Sequence, residues 1–395
     1  MCVWARVVSC RDASTSVPAQ GSSRETMDTF TTIEARVAHC LFGYIAHAKV
    51  KSSGQEVALK CIHPKLALRH ATSRGEAVAE NADTELSVLR LAARHAHPHL
   101  MGMHPAAAGL PQCTSSASEA IERGHKLMAV LPWCGRGDLM TALETRGSGL
   151  PVADAMRLFA QIASAVHHMH TCLGYCHRDI SLENIFLQDD ASCEGGVRVL
   201  VGDFGAAGEI GHHDAPAVRP GKVSYVAPEI FRREASGYDG VRADVYSLGV
   251  VLFCLLAGNM PYNRPTATDE CYSVIQRGDM GPLLDAWGLK DQFPPDVLDL
   301  VKRMMSPTPS LRPSLLEVLR HPRCAGHVPS VAMATVAMAT PAATAAGGKE
   351  HEVDVDMTSG KCVGAAGAAA AGAGSGSLDD GDMSDVAVLE GSPAA

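Results

Sequence analysis

Three short motifs in a fixed order constrain this chain more than any other feature of its sequence. HRDISLEN at 177–184 places Asp179 five residues before Asn184, DFG begins nineteen residues after that with Asp203, and APE follows at 227–229. Carboxylate and amide oxygens such as those of Asp203 and Asn184 suit a hard cation such as Mg²⁺. Asp179 is then available to orient an acceptor hydroxyl and take its proton, which is the arrangement that phosphoryl transfer needs.

Two charged residues upstream complete this chemistry. Lys60 ends the run VALK, where strand alternation puts its side chain on the face opposite Leu59. Glu85 lies twenty-five residues further on, in the helix-like stretch TELSVLRL. We predict a Lys60–Glu85 ion pair that holds the ammonium on the α- and β-phosphates of a nucleotide. Either residue alone would be an ordinary surface charge, so the prediction depends on their combination.

With these motifs the chain resembles a eukaryotic protein kinase of the serine/threonine type, divergent and without a clear subfamily, over about residues 31–324. The resemblance implies an α+β, two-lobed fold with a small β-rich N-lobe and a larger α-helical C-lobe. It also implies ATP and Mg²⁺ as cofactors, with Asn184 and Asp203 as the metal ligands. Asp244 in the stretch DVYSLG would hold the backbone of the His177–Arg178 turn, and Arg312 would pair with Glu229 of APE.

The nucleotide-binding residues are likewise implied by the resemblance. LPWCGRGDL is similar to the family's hinge, so Leu131 would be the gatekeeper, the Pro132 carbonyl and Cys134 amide would bind adenine, and Asp138 would reach the ribose. A proline is acceptable at the hinge because only its carbonyl is needed. The remaining cofactor-binding positions lie on the N-lobe strands: Ala38, Gly43, Ile45, Ala58 and Lys60.

The glycine-rich loop departs from the family pattern G-x-G-x-x-G-x-V. Its positions are held by Ala38, Cys40, Gly43 and Ile45, so two of the three glycines are absent. Backbone amides approach phosphates most closely where no Cβ intervenes, and we therefore expect weaker nucleotide binding. Alanine and cysteine are small, which limits the expected loss.

A second departure concerns Ser181 and Lys222. Serine/threonine kinases carry a lysine two residues after the catalytic aspartate and a threonine shortly before APE, whereas this chain has Ser181 and Lys222 at those places. We hypothesise that the hydroxyl and the ammonium have exchanged positions, so that Lys222 returns the missing charge from the other side of the cleft. Two unrelated substitutions are the alternative.

The third departure is the absence of Ser, Thr and Tyr between Ala206 and Gly221. The phosphate that commonly activates such kinases, and that pairs with Arg178 of HRD, has no residue to occupy. We predict activity that does not depend on phosphorylation of this loop, with Glu209 or Asp214 as a carboxylate partner for Arg178.

Periodicity divides the chain into a β-rich part and a later α-rich part. Strand-like runs occupy 31–62 and 126–134, helical spacing begins at Pro151, and helical patterns dominate 242–322. Residues 104–125 are expected to form a long surface insertion. We predict the following organisation: a disordered tail at 1–29; a kinase domain at 30–325, with the N-lobe at 30–131, the hinge at 132–135 and the C-lobe at 136–325; and a low-complexity Ala/Gly/Thr-rich acidic tail at 326–395.

Composition excludes several other classes of protein. The formal charge of −9 resides mostly after Ala325, where nine acids face two lysines, so the body gives no electrostatic case for nucleic acid as a partner. The thirteen cysteines form no C-x-x-C pair, which favours reduced thiols over a zinc site. The N-terminus is a poor signal peptide, and the apolar run 247–258 is too short to cross a bilayer. We expect a cytoplasmic protein, with the nucleus as an alternative.

These observations predict an ATP-dependent serine/threonine kinase with a protein substrate and, through its tails, a possible regulatory partner. The catalytic residues would be Asp179, Lys60, Glu85, Ser181 and Lys222. The alternative is a pseudokinase that acts as a scaffold or allosteric partner, which the poor glycine loop and Ser181 favour. A small-molecule or lipid kinase on the same fold is disfavoured by APE and Arg312.

Overall fold

The structure is a computed structural model that describes residues 29–70, 78–211, 220–232 and 237–328. Both predicted tails, apart from Thr29 and residues 326–328, lie outside the described residues. The first strand begins at Phe30 and the last helix ends at Ala325. All ten cysteines in the described part of the chain are free thiols.

A four-stranded antiparallel sheet forms the N-lobe, in the order β1 to β4. Its strands are β1 (Phe30–Cys40), β2 (Gly43–Val50), β3 (Glu56–Ile62) and β4 (Leu127–Pro132). β3 lies in the interior of the sheet and is paired on both edges. Five of its seven residues are buried, all except Glu56 and Cys61. The strand runs predicted from the sequence are confirmed.

Two helices follow β3 in the N-lobe: α1 (Pro64–Arg69) and α2 (Ala82–Arg94). Asn81 caps the N-terminus of α2, because its side-chain oxygen accepts hydrogen bonds from the amides of Asp83 at 2.9 Å and Thr84 at 3.1 Å. α2 buries Leu86, Val88 and Leu89 and carries Glu85 on its first turn.

The prediction that residues 104–125 form a surface loop is wrong, because this segment is partly helical and partly buried. After a 3₁₀ turn (Pro105–Ala107), this segment forms helices α3 (Pro111–Thr114) and α4 (Ala117–Glu122), and several of its side chains are buried. α3 packs on β4 and α4 packs on α1. Its small residues, which suggested a loop, allow close helix packing instead, and Ser116 and Glu119 form a capping box that starts α4.

The C-lobe is mainly helical. Its helices are α5 (Leu139–Arg146), α6 (Val152–His168), α7 (Pro228–Phe231), α8 (Gly240–Ala257), α9 (Glu270–Gln276), α10 (Gly281–Ala286), α11 (Pro295–Met304), α12 (Leu315–Leu319) and α13 (Pro322–Ala325). Two short antiparallel pairs lie beneath the cleft, β5 (Tyr175–Cys176) with β8 (Gly208–Glu209) and β6 (Ile185–Asp189) with β7 (Val197–Val201). The predicted two-lobed α+β fold is confirmed.

The central C-lobe helix α8 is longer than the apolar run that marks it in the sequence. Its 18 residues have the length and apolar composition of a membrane span, but 83% of them are buried inside the protein. α6 and α11 pack against it. Burial of this kind explains its apolar composition, because a helix surrounded by protein is hydrophobic on all sides.

Candidate active site

The Lys60 ammonium lies between two carboxylates from different elements. Its Nζ donates to Glu85 Oε1 at 2.5 Å and to Asp203 Oδ1 at 3.2 Å, and the side chains of Lys60 and Glu85 are almost fully buried. Burial opposes ionisation of Lys60, but the carboxylates of Asp203 and Glu85 outweigh it and raise the pKa of Lys60 well above its usual value. The structure thus forms the predicted Lys60–Glu85 pair and adds Asp203 to it.

Asp179 and Asn184 are joined directly within the catalytic loop. Asn184 Nδ2 donates to the Asp179 carboxylate at 2.8 Å and to its backbone carbonyl at 2.7 Å. Since the amide nitrogen of Asn184 is turned towards Asp179, its Oδ1 remains as an acceptor. That oxygen and the carboxylate of Asp203 are hard donors of the kind that Mg²⁺ prefers, so the residues present fit the predicted metal.

Lys222 reaches the catalytic loop from the segment before APE. Its Nζ donates to Asp179 Oδ2 at 3.0 Å and to Ser181 Oγ at 2.9 Å, and it lies 3.5 Å from Asn184 Oδ1. The Lys222 amide also donates to Asp179 Oδ1 at 3.0 Å. The structure therefore brings Ser181 and Lys222 together around Asp179, as the proposed exchange of hydroxyl and ammonium requires.

Asp203 adopts a backbone conformation that is uncommon for a residue with a side chain. Its φ is +65°, in the left-handed region, where a Cβ is crowded by the backbone. Burial would raise its pKa, but Lys60 and Lys222 outweigh this effect and lower it. The carbonyl of Gly205 accepts a hydrogen bond from the Asn81 amide at 2.8 Å, which ties the DFG turn to the start of α2. The left-handed backbone at Asp203 is thus tied on its C-terminal side to the start of α2.

Asp244 on α8 supports the catalytic loop from below. Its carboxylate accepts hydrogen bonds from the amides of His177 at 2.7 Å and Arg178 at 2.9 Å, and from the His170 ring at 2.8 Å. Burial would raise the pKa of Asp244, but the His170 contact and the neighbouring donors lower it. The expected anchoring of the His177–Arg178 turn is confirmed.

APE is anchored by the predicted ion pair. The Arg312 guanidinium binds Glu229 through two hydrogen bonds of 2.6 and 2.7 Å, and both residues are buried. Parallel bonds of this kind fix orientation as well as charge.

The predicted partner of Arg178 is not seen among the described residues. Glu209 accepts a hydrogen bond from the Tyr175 hydroxyl at 3.2 Å, while the Arg178 guanidinium lies against the backbone of Gly208 and 5.8 Å from the Tyr238 ring centre. A Cβ at residue 208 would lie 2.1 Å from the guanidinium carbon, so a larger residue there would have to displace the Arg178 side chain. Asp214 lies outside the described residues, and independence from loop phosphorylation remains a prediction.

Five of the predicted nucleotide-binding residues lie together on one face of the N-lobe sheet. Ala38 pairs with Ile45, Ile45 pairs with Lys60, and Ala58 pairs with Leu131. Directly opposed residues share a face of the sheet, as do residues two apart in one strand, such as Ala58 and Lys60. The strand register therefore places all five side chains on the same face. All five are buried. In the hinge, the Cys134 thiol lies 3.9 Å from the Pro132 carbonyl oxygen.

Gly43 is the one glycine retained from the family's loop, and the structure gives it a packing role. A Cβ at this position would lie 2.0 Å from the carbonyl oxygen of Cys61 on β3. Nearby, Cys40 occupies a lost glycine position, and burial raises the pKa of its thiol to about 11. Gly43 is therefore required by strand packing, whatever it contributes to phosphate binding.

Asp138, the predicted ribose ligand, lies at the start of α5. It is fully buried and caps α5, where its carboxylate accepts from the Thr141 amide at 2.8 Å and the Thr141 hydroxyl at 3.2 Å. Burial raises its pKa. The ribose contact remains a prediction.

Glu80 was missed by the sequence analysis because it belongs to none of the motifs. Its side chain lies against Gly205, where an added Cβ would be 3.0 Å from Glu80 Oε2. Burial raises the pKa of Glu80 to about 8, and the nearby Asp203 carboxylate adds to the effect. The site therefore holds an additional carboxyl group, that of Glu80, which lies in the segment just before α2.

Comparison with known proteins agrees with this geometry. The protein kinase domain family model matches residues 39–323. A rice protein (Oryza sativa subsp. japonica) named CBL-interacting protein kinase 20 is 33% identical over 289 residues, covering 72% of this chain and 55% of the relative. Rice CBL-interacting protein kinase 5 is 29% identical over 284 residues, covering 71% and 52%. An Arabidopsis thaliana protein named CBL-interacting serine/threonine-protein kinase 20 is 27% identical over 283 residues, covering 71% and 55%. The chain spans about half the length of these relatives.

Proposed function

Because the chain belongs to the protein kinase family, we propose that it is a protein serine/threonine kinase that transfers the γ-phosphoryl group of ATP to a protein hydroxyl. The convergence of Lys60 on both Glu85 and Asp203 carries this proposal. A buried ammonium between two carboxylates, with Asp179 and Asn184 on the adjoining loop, is the set of groups that phosphoryl transfer uses.

Each group has a role that follows from its position. Lys60 would bind the α- and β-phosphates, with Glu85 holding its ammonium in place. Asn184 and Asp203 would hold Mg²⁺, which neutralises phosphate charge when bound. Asp179 would accept the proton of the attacking hydroxyl, and Lys222 would stabilise negative charge on the transferred group.

The choice of serine or threonine as acceptor is supported by the relatives and by the loop sequence. The Arabidopsis relative carries serine/threonine-protein kinase in its name. The stretches SLE after HRDI and GKVSYVAPE differ from the loops of tyrosine kinases. Both observations favour an aliphatic hydroxyl as the acceptor.

A transfer assay tests the proposal. The purified full-length chain is incubated with Mg²⁺, ATP labelled at the γ-phosphate and a generic protein substrate, and thermal shift with Mg·ATP is measured in parallel. We expect label on serine or threonine and a rise in Tm. Asp179→Asn should remove transfer while keeping the Tm rise, because Asp179 acts on the acceptor hydroxyl rather than on nucleotide binding.

The pseudokinase alternative predicts a different result in the same assay. It requires no transfer above the Asp179→Asn background, with or without a Tm rise. The complete set of Lys60, Glu85, Asp179, Asn184 and Asp203 does not favour it.

A regulatory protein partner belongs to the proposal through the segments outside the catalytic domain. The relatives are named for interaction with CBL proteins. We place the corresponding contact on residues 1–29 or 326–395. Titration of the full-length chain with a purified CBL protein, followed by calorimetry, should show binding that is lost when these residues are removed.

A further inference from the structure

The helix that carries Glu85 is held on a second side by α3 and α4, residues 111–122. The Ala117 amide at the start of α4 donates to Asp83 Oδ1 on α2 at 2.8 Å. Arg90 on α2 donates through Nη1 to the Cys113 carbonyl oxygen of α3 at 2.9 Å. Two side chains of α2 are therefore bonded to the backbone of the 111–122 helices.

These two anchors lie on the opposite side of α2 from Glu85. Asp83 and Arg90 are seven residues apart, which brings them to the same face after two turns. Glu85 follows Asp83 by two residues, or about 200° around the helix. α2 is thus held between the 111–122 helices on one face and Lys60 on the other.

The 111–122 helices are themselves packed firmly on the N-lobe. Cys113, Ala117 and Ala120 are at most 2% exposed, and α3 and α4 pack on β4 and α1. Ser115 Oγ and His125 Nε2 lie 3.2 Å apart, which joins the turn between α3 and α4 to the chain just after α4. A segment this well buried can resist displacement of the helix bonded to it.

We propose that the 111–122 helices are a built-in positioning element that keeps Glu85 paired with Lys60, with Asp83 and Arg90 as the positioning residues. This inference rests on the proposed kinase function, since the pair it maintains serves nucleotide binding. The loop from 206 to 221 has no hydroxyl for a phosphate. Because the 111–122 helices of the N-lobe already hold α2 in place, the Lys60–Glu85 pair would form without such a phosphate.

A double-mutant cycle separates positioning from general stability. The Asp83→Ala/Arg90→Ala variant of the full-length chain is compared with wild type, and the same pair of changes is made in a Glu85→Gln background. We expect kcat to fall about tenfold or more in the presence of Glu85 and less than about twofold in its absence, because α2 then has no pair to hold. Arg90→Lys, which keeps a donor, should restore part of the activity.

The matched control is Arg94→Ala, which removes an exposed arginine from the same helix. It should leave kcat unchanged. Equal losses from the double variant in both backgrounds would overturn the inference, as would no loss in either.

Hydrogen exchange of the amides at 86–94 gives a readout that does not need activity. It should rise in the double variant while exchange at 185–201 stays constant, and unchanged exchange at 86–94 overturns the inference. An inactive wild-type chain would refute the proposed kinase function alone. The positioning role of the 111–122 helices would still be tested by hydrogen exchange, which does not need activity.

Discussion

The ammonium of Lys222 donates to Asp179 Oδ2 at 3.0 Å although the two residues are 43 positions apart in the chain. It also binds the hydroxyl of Ser181, at 2.9 Å. The hypothesis that the hydroxyl and the ammonium have exchanged positions requires both groups to lie beside Asp179, and both do. On this hypothesis, the segment before APE would supply the positive charge that the family's catalytic loop carries.

Lys222→Ala should lower kcat by roughly 100-fold, because it removes a charged group aimed at developing phosphate charge. The double variant Ser181→Lys/Lys222→Thr should stay within about tenfold of wild type, since it restores the ammonium from the other side. Steady-state kinetics with a protein substrate measure both, and Lys290→Ala, an exposed lysine of the C-lobe, is the control. Full activity of Lys222→Ala would refute the exchange.

Gly43→Ala should destabilise the protein by about 1–3 kcal/mol, because the added Cβ would meet the Cys61 carbonyl oxygen at 2.0 Å and the strands must shift. Denaturant unfolding monitored by circular dichroism measures the change. Gly281→Ala, whose Cβ would have an ordinary contact of 3.7 Å, is the comparison and should be nearly neutral. Equal stability of the two variants would contradict the packing role of Gly43.

Arg312→Ala should cost roughly 3–5 kcal/mol of folding free energy, because it leaves the buried Glu229 carboxylate without its partner. Arg323→Ala, which breaks an exposed ion pair with Asp296, should cost no more than about 1 kcal/mol. Chemical unfolding of both variants provides the measurement. Losses of similar size would show that burial of the Arg312–Glu229 pair does not determine its energetic importance.

Glu80 should make stability decrease as the pH rises. Its pKa is about 8 in the folded protein against 4.5 for the free side chain, so the folded state retains a proton that the unfolded state has lost. The stabilisation is complete below pH 4.5 and disappears as the pH passes 8. The free energy of unfolding, measured from pH 6 to 9 without nucleotide, should therefore fall in wild type.

Glu80→Gln tests the origin of that slope, because the amide keeps the shape of the side chain and does not titrate. Its stability should vary less than that of wild type between pH 6 and 9. Glu56→Gln, which changes an exposed carboxyl on β3, should keep the wild-type slope. If Glu80→Gln retains the full slope, other groups are responsible.

The sequence alone was sufficient for the fold class and for most of the site. HRD-x-x-x-x-N, DFG, APE and the paired Lys60 and Glu85 can be read from residue identity and spacing alone, because the motifs occur in a fixed order along the chain. The helical spacing that begins at Pro151 likewise predicts α6, since helix periodicity is a local property of the chain.

Other features were decided only by contacts between distant segments. The bonds from Asp83 and Arg90 turn 111–122 into part of the N-lobe. The spacing of Ser116 and Glu119 is a local signature of a helix start, but it does not show what that helix packs against. Asp138 became a helix cap because Thr141 offers two donors within one turn. Glu80 entered the cleft because the chain leading to α2 passes over Gly205. Spacing in a sequence specifies which groups a chain carries, whereas burial and hydrogen bonding in the folded state decide which of them meet.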